Sequence, residues 1–345
     1  MNTPIISALD FVSTREGESA GKAIARAVKV SQVVEKLGYH RIWYSEHHGV
    51  SAVASASPAL LIGHVAAATQ SIRVGAGGVM LLNHPPMIIA EQFGTLEALF
   101  PGRIDLGLGR AVGSTKIREE ITKKALRRDP RITDDDFPEL LAELQLFLGP
   151  GEEDQEVKAY PGQGSNVPLF LLSSSGHNAR LAGELGLPFI FAAHIAPANL
   201  MSSIELYRQH FRPSKTLDRP YVMISVFALA AETDEDARKF LTFIQQFYLS
   251  AVGGTGRAVK PVDSMDGLWT EEEKEAVEKR MQFAITGGRS TVSQALWSFI
   301  EQTGADELFF WTDTYRDEDR LRSYAILYET AASLKAQSEV AAAST

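Results

Sequence analysis

A carboxylate and two histidines stand together in the segment Ser45–Gly49 (SEHHG), directly after a predicted strand. Glu46 and His47 could transfer protons, orient a ligand or bind a metal ion, because carboxylate and imidazole groups do all three. A metal site is the weaker alternative and we expect none, since the HEXXH spacing is absent and no third ligand is evident in the sequence. The alternative is a purely structural role, in which Glu46 makes a buried hydrogen bond and both histidines are ordinary loop residues.

Small residues at the next predicted strands could accommodate a flat or phosphorylated ligand. Gly77 and Gly78 interrupt a buried strand, which indicates either a bulge or a ligand that rests against the backbone. Arg110 follows the next strand and could bind a phosphate group. The run Ser173–Gly176 (SSSG) leads into a predicted helix, whose free N–H groups suit a phosphate, although a simple serine N-cap would have the same sequence.

Signatures of other enzyme classes are incomplete. Gly17–Lys22 (GESAGK) is one residue short of a P-loop. Gly107–Gly109 (GLG) lacks the third glycine of a dinucleotide-binding fingerprint, because Val112 stands in its place. No GXSXG sequence surrounds the three serines. We therefore expect neither an NAD(P)H site nor serine hydrolase chemistry.

The composition restricts the class of protein. The chain has 345 residues and a net charge of −9, which disfavours nonspecific binding to nucleic acid or to anionic membranes. It contains no cysteine, which excludes disulfides, thiolate metal sites and cysteine nucleophiles. The N-terminus does not resemble a signal peptide, and no apolar stretch approaches the roughly 20 residues of a membrane span. We expect a soluble cytoplasmic protein that binds neither nucleic acid nor membrane.

Short apolar runs alternate with amphipathic segments, which predicts repeated strand–helix units. Continuous apolar runs are typical of parallel strands that are covered on both faces. Eight strands, each followed by a helix, predict a (β/α)8 TIM barrel of the α/β class, with an open doubly wound sheet as the alternative. The predicted strands are Ile5–Phe11, Arg41–Ser45, Ile72–Leu81, Ile104–Leu108, Val167–Ser173, Pro188–Ala193, Tyr221–Ala228 and Glu307–Trp311.

The pattern indicates one domain at residues 1–336, because no linker divides the chain. Insertions are expected near 113–138, 149–166 and 250–288, where charged residues, glycine and proline replace the apolar periodicity. The last insertion contains a helix of its own from about Glu271. The chain is expected to end in a flexible tail at 337–345.

Four segments resemble the bacterial luciferase-like family of flavin-dependent monooxygenases, in the same order and spacing. The resemblance covers Leu9 to Tyr315, and the late insertion is similar to that of the single-chain branch of the family. The four segments are GYHRIWYSEHHG, IRVGAGGVMLLNHPP, PGRIDLGLGR and SSSGHNARLAGELGLPF.

This resemblance implies an enzyme that uses reduced FMN and O2 to oxygenate a small, apolar organic substrate such as an aldehyde or ketone. It implies that a separate reductase supplies the reduced FMN and that the chain forms a homodimer through early barrel helices. His47 matches the catalytic histidine at the reactive edge of the flavin, and Glu46 matches the adjacent carboxylate. The implied cofactor-binding residues are Gly77 and Gly78, joined by a cis peptide beneath the ring, and Arg110, Ser174, Ser175, Gly176, His177 and Asn178 around the phosphate.

The sequence also departs from the family pattern. Gly109 stands where the light-producing enzymes carry a reactive cysteine, so we expect no light emission. Ser174 replaces a family glutamate, and Ala193 replaces an aromatic residue near the ring. Two alternatives stay open, because relatives with the same barrel use a deazaflavin: a deazaflavin-dependent hydride-transfer oxidoreductase and a noncatalytic flavin-binding protein.

Overall fold

Eight parallel strands close into a barrel in the computed structural model, which describes residues 3–110, 116–151, 155–252 and 259–343. Each strand pairs with the next along the chain, and the last strand pairs with both the first and the seventh. The predicted TIM barrel is therefore confirmed, and the open sheet is wrong. The barrel strands are β1 (Ile5–Asp10), β2 (Arg41–Tyr44), β3 (Arg73–Met80), β4 (Ile104–Gly109), β5 (Leu169–Ser173), β6 (Phe189–Ala192), β7 (Val222–Ala230) and β9 (Glu307–Trp311).

Helices surround the barrel, and the local sequence explains where they begin and end. Ser19 caps the first helix by accepting a hydrogen bond from the N–H of Lys22, and Gly38 ends that helix with φ of 97°. The helices are α1 (Ala20–Leu37), α2 (Pro58–Ala67), α3 (Pro86–Leu99), α4 (Lys116–Ala125), α5 (Phe137–Leu148), α6 (Gly176–Leu185), α7 (Leu200–His210), α8 (Asp234–Val252), α9 (Glu271–Arg280), α10 (Arg289–Thr303) and α11 (Asp317–Ala343).

The insertions contain two elements that the sequence pattern did not predict. Helix α4 lies in the first insertion, where the highly charged sequence predicts an exposed excursion rather than a helix. Strand β8 (Ile285–Gly287) extends the late insertion and pairs with the end of β7, but three residues are too few to show a period. Residues 113–115, 152–154 and 253–258 of the insertions, and 344–345 of the predicted tail, lie outside the described residues. Residues 337–343 of that tail continue helix α11. None of the described helices is both long and apolar enough to cross a membrane.

A buried ion network closes the amino-terminal end of the barrel. Arg41, the first residue of β2, bonds to Asp105 of β4 at 2.8 Å and to Glu307 of β9 at 2.9 Å. Arg73 of β3 also pairs with Asp105, and the Tyr221 hydroxyl donates to Glu307 at 2.9 Å. These charges are satisfied by one another, as buried charges must be, and they cross-link the starts of the strands. We call the opposite, carboxyl end of the barrel the mouth.

Candidate active site

Four neighbouring strands bring the predicted site residues to one side of the mouth. Residues 46–47 follow β2, Gly77–Gly78 lies within β3, Arg110 follows β4, and residues 173–178 join β5 to α6. Because these strands are parallel and adjacent, the residues share the carboxyl end of the barrel. We call this side of the mouth the β2–β5 arc.

A chain of hydrogen bonds holds His47 and fixes its tautomer. Ser55 Oγ donates to the carbonyl of Phe11 at 2.9 Å, so it accepts from Ser45 Oγ at 3.0 Å. Ser45 Oγ has then used its own proton and accepts from Nδ1–H of His47 at 3.0 Å. The neutral imidazole therefore carries its proton on Nδ1, and Nε2 is a proton acceptor.

The surroundings of His47 favour the neutral form. Burial lowers its pKa, and the negative charge of Glu46 opposes this only in part. The ring is half-buried and lies edge-on to Phe11, with ring centroids 5.5 Å apart. At neutral pH, His47 can therefore take up a proton from a group bound at the mouth.

The Glu46 carboxylate, in contrast, is fully engaged. Oε1 accepts hydrogen bonds from Nε2 of His48 and Nε2 of His84, each at 2.7 Å, and Oε2 accepts from the N–H of Met80 at 3.0 Å. Burial alone would raise the pKa of Glu46, but these hydrogen bonds outweigh it and lower the pKa to about 2. Because an ionised carboxylate only accepts, both histidines donate to it. Glu46 thus joins the ends of β2 and β3, and its carboxyl carries no proton at neutral pH.

His84 completes a cluster that sequence reasoning missed. The potential ligand atoms of Glu46, His48 and His84 lie within 4.8 Å of one another, which could accommodate a metal ion. The two N–O distances of 2.7 Å are those of hydrogen bonds, whereas two ligands of one tetrahedral zinc ion lie roughly 3.3 Å apart. The geometry therefore favours a hydrogen-bonded cluster, and the expectation of no metal stays a prediction.

The two glycines of β3 occupy a bulge. Their peptide bond is cis, as expected, and the pairing of β3 with β4 shifts in register between Ala76 and Val79. A Cβ on Gly78 would lie 2.7 Å from the carbonyl oxygen of Gly107, so close strand approach requires glycine there. Gly77 is half-exposed, so its backbone is open to a ligand from the mouth.

The start of α6 has unused hydrogen-bonding groups. Ser175 is the N-cap, yet its side chain makes no capping hydrogen bond, so the simple N-cap alternative is not realised. The N–H of Ser175 donates to Ser173 Oγ at 3.0 Å and is occupied. Gly176 is half-exposed and His177 exposed, so the first N–H groups of α6 can meet an anion.

The other two predicted phosphate residues differ in their surroundings. Arg110 is half-buried at the adjoining end of β4, beside a segment outside the described residues. Asn178 is buried, and its Nδ2 donates to the carbonyl of Leu172 at 2.8 Å. Asn178 therefore fastens α6 to β5, whereas Ser174 is half-exposed in the turn between β5 and α6.

Aromatic rings form the other side of the mouth. Phe11 follows β1, His194 follows β6, Trp311 ends β9, and Tyr248 reaches in from α8. The ring centroids of Phe11 and Trp311 are 4.8 Å apart, and His194 lies 5.5 Å from each of them. We call these four residues the aromatic patch. Phe11 connects it to His47, so the patch borders the β2–β5 arc.

His194 and Trp311 each bury a polar atom without a partner. Nδ1 of His194 lies 3.3 Å from the carbonyl of Ser225, and its Nε2 is unpaired among the described residues, as is Nε1 of Trp311. Burial lowers the pKa of His194 to about 4, so the ring is neutral. One feature of the sequence could have indicated a role for His194. It follows the sixth strand, and ligand-binding residues of TIM barrels follow the carboxyl ends of the strands.

Comparisons with known proteins place these features in one family. The family described as luciferase-like monooxygenase matches residues 6–307. The chain is 45% identical to the uncharacterized protein YvbT of Bacillus subtilis over 94% of this chain and 95% of that one. It is 40% identical to a luciferase-like monooxygenase of Escherichia coli K12 over 94% of this chain and 96% of that one.

Solved structures share the fold. Apo-MsnO8 superposes with a TM-score of 0.82 at 30% identity, covering 94% of this chain and 97% of that one. The oxygenating constituent of 3,6-diketocamphane monooxygenase from Pseudomonas putida, solved with FMN, has a TM-score of 0.69 at 17% identity, covering 95% and 97%. A secondary alcohol dehydrogenase that depends on coenzyme F420, a deazaflavin, has a TM-score of 0.65 at 15% identity, covering 96% and 99%. The last two show the fold alone.

Proposed function

This chain belongs to the luciferase-like monooxygenase family of oxidoreductases, and from that premise we propose that it uses reduced FMN and O2 to oxygenate a small organic substrate such as an aldehyde or ketone. One oxygen atom enters the substrate and the other leaves as water, with two electrons supplied by the reduced flavin. The observation that carries the proposal is the fixed Nδ1–H tautomer of His47, which leaves a neutral base at the mouth.

The β2–β5 arc fits a flavin mononucleotide. The half-exposed backbone of Gly77 offers a surface without side chains for the ring, and the start of α6 and Arg110 suit the phosphate. In this proposal Ser174, Ser175, Gly176 and His177 line the phosphate site, and Asn178 supports it from below by holding α6. When bound, the flavin would supply the reducing equivalents that activate O2.

We assign different roles to the two predicted catalytic residues. His47 is the catalytic residue, because its Nε2 can take a proton from the reacting groups and return it. Glu46 acts as a positioning residue, because its hydrogen bonds keep the loop after β2 against the end of β3. The aromatic patch keeps water away from the reacting atoms, as unstable oxygenating species require.

The test of His47 is a substitution to alanine with a matched control. We expect His47→Ala to lower oxygenation turnover about 10²–10⁴-fold while changing the affinity for reduced FMN by no more than a few-fold. His64→Ala, an exposed histidine on α2, should leave both unchanged. Rapid-mixing absorbance after exposure to O2, together with flavin titration, measures both quantities. Normal turnover of His47→Ala on a verified substrate would contradict the assignment.

Reconstitution decides between the proposed function and its alternatives. We expect calorimetry to show tighter binding of reduced FMN than of FAD, because the phosphate groups form one short cluster and no adenosine site is recognisable. Oxygen uptake should follow only with reduced FMN. Hydride transfer with reduced deazaflavin and no oxygen uptake would favour the dehydrogenase alternative. Binding of FMN without any oxygen-dependent product across an aldehyde panel would favour a flavin-binding protein.

The remaining expectations belong to this proposal. A separate reductase supplies reduced FMN, which agrees with a sequence that carries no NAD(P)H fingerprint. Exposed apolar residues on α2 and α3, Leu60, Ile88 and Leu99, support a homodimer through the early helices. Light scattering coupled to size-exclusion chromatography would test the dimer, and fractionation of cells would test the cytoplasmic location.

A further inference from the structure

Helix α9 of the late insertion lies over the aromatic patch. Its residue Val277 is 2% exposed and packs in a cluster with Phe243, Ile244 and Tyr248 of α8. A capping box formed by Thr270 and the glutamate three residues later fixes its start. Because the helix is anchored in this way, its last residue, Arg280, is held at the edge of the patch.

Arg280 lies against the patch itself. Its guanidinium carbon is 5.2 Å from the centroid of the Tyr248 ring, and the Tyr248 hydroxyl in turn donates to the carbonyl of His194 at 3.4 Å. The Tyr248 ring is 6.2 Å from that of Trp311. Rings therefore continue without interruption from Arg280 to His47, through Tyr248, Trp311 and Phe11.

Arg280 differs from the other cations of its helix because its charge is not neutralised. Lys274 and Lys279 pair with Glu271 and Glu275 of α9. No carboxylate of the described residues lies within 4.0 Å of Arg280, although its side chain is exposed and carries a permanent charge. The C-terminal end of a helix favours a cation, and this effect alone would explain a lysine or arginine at position 280. It does not explain why the guanidinium of Arg280 lies over the ring of Tyr248.

The patch also retains hydrogen-bonding capacity. Nε2 of His194 and Nε1–H of Trp311 have no partner among the described residues, although nearly all buried polar atoms in proteins have one. An acceptor and a donor left unused inside an apolar wall are typical of a binding site that is completed by its ligand.

We propose that the substrate carries a carboxylate as well as an apolar chain or ring, with the apolar part on the aromatic patch and the carboxylate on Arg280. This inference rests on the proposed oxygenase function and adds the substrate class to it. The planar guanidinium matches a carboxylate by two parallel hydrogen bonds. The reacting end of the substrate then lies toward His47, at the other end of the row of rings.

The experiment compares two ligands of the same shape on the FMN-loaded protein. Octanoate and octanamide differ in charge and not in size, and bound FMN occupies the phosphate site, where a carboxylate could otherwise bind. In calorimetric titrations we expect octanoate to bind about tenfold more tightly than octanamide. Arg280→Met should abolish this preference, Arg280→Lys should retain part of it, and Lys279→Met, which removes a charge from the same helix, should leave it intact.

Equal affinities for the two ligands in the unaltered protein, or a preference that survives Arg280→Met, would overturn the inference. Loss of the preference in Lys279→Met as well would also overturn it, because the effect would then come from the general charge of α9. The titration needs no turnover, so a preserved carboxylate preference without oxygen-dependent product would refute the proposed function alone. Oxygenation without any carboxylate preference would refute the inference alone.

Discussion

Replacing Glu46 by glutamine tests the hydrogen-bonded cluster at the ends of β2 and β3. The carboxylate accepts from two histidines on Oε1 and from the N–H of Met80 on Oε2. A glutamine has one acceptor oxygen and one amide that donates. In either orientation of the glutamine side chain, its amide NH2 group lies against N–H donors, either those of the two histidines or that of Met80. Those donors then lose their acceptor, which destabilises the folded protein.

The depressed pKa sets the magnitude of the effect. The pKa of Glu46 is about 2 in the folded protein and 4.5 as an ordinary glutamate, and each unit of difference corresponds to 1.36 kcal/mol. The ionised form therefore contributes about 3 kcal/mol to the free energy of unfolding at pH 7. Because the folded pKa is the lower one, this contribution is complete above the unfolded pKa of 4.5 and is lost as the pH falls toward 2.

Chemical denaturation at two pH values measures this contribution. We expect Glu46→Gln to lower the free energy of unfolding by about 3 kcal/mol at pH 7 and by about 2 kcal/mol at pH 3.5, where part of the contribution is already lost. Glu184→Gln removes a half-exposed carboxylate that pairs with Arg180 on the surface of α6 and should leave stability close to that of the unaltered protein at both pH values. A Glu46→Gln protein of unaltered stability, or a loss that is larger at pH 3.5 than at pH 7, would refute the reasoning.

Three further substitutions test other parts of the mouth. Ser45→Ala removes the acceptor for Nδ1–H of His47; we expect turnover to fall about tenfold, with an altered pH–rate profile and a melting temperature slightly below that of the unaltered protein, because the hydrogen bonds to His47 and Ser55 are lost. Gly107→Ala should destabilise the barrel by at least about 1–3 kcal/mol, because its Cβ would lie 2.2 Å from a carbonyl oxygen of β3. The control is Gly109→Ala, whose Cβ would lie no closer than 3.4 Å to any neighbouring atom, and its melting temperature should stay close to that of the unaltered protein. Arg110→Ala should weaken FMN binding about tenfold or more in a flavin titration and leave the melting temperature of the apo-protein unchanged.

The barrel could be predicted from the sequence because its signals are local. Apolar runs, a serine N-cap and a glycine at φ of 97° lie within a few residues of the elements that they define, as in α1. The position of the proposed site residues on the β2–β5 arc could be predicted for a related reason, since parallel strands end on the same side. Helix α4 escaped prediction because its short sequence is dominated by charged residues, and strand β8 because three residues are too few to show a period.

The rest of the site depends on contacts between distant parts of the chain. His84 belongs to the cluster only because β2 and β3 are neighbours in the barrel, and a single histidine before two prolines gives no such signal. Arg280 reaches the mouth because Val277 anchors α9 on α8, which no local pattern specifies. Asn178 also depends on such a contact. The sequence predicts it near a phosphate, and in the structure its side chain bonds to the carbonyl of Leu172 and fastens α6 to β5.

The ion network of Arg41, Asp105 and Glu307 has a consequence for protein engineering. It joins the starts of β2, β4 and β9, at the end of the barrel away from His47 and Arg280. The residues of this network are therefore separate from the residues to which we assign catalysis and substrate binding. A mutant library restricted to the loops of the mouth, with Glu46 kept unchanged, would sample new substrates without disturbing this network. A library that included the residues of the network would be depleted of folded members.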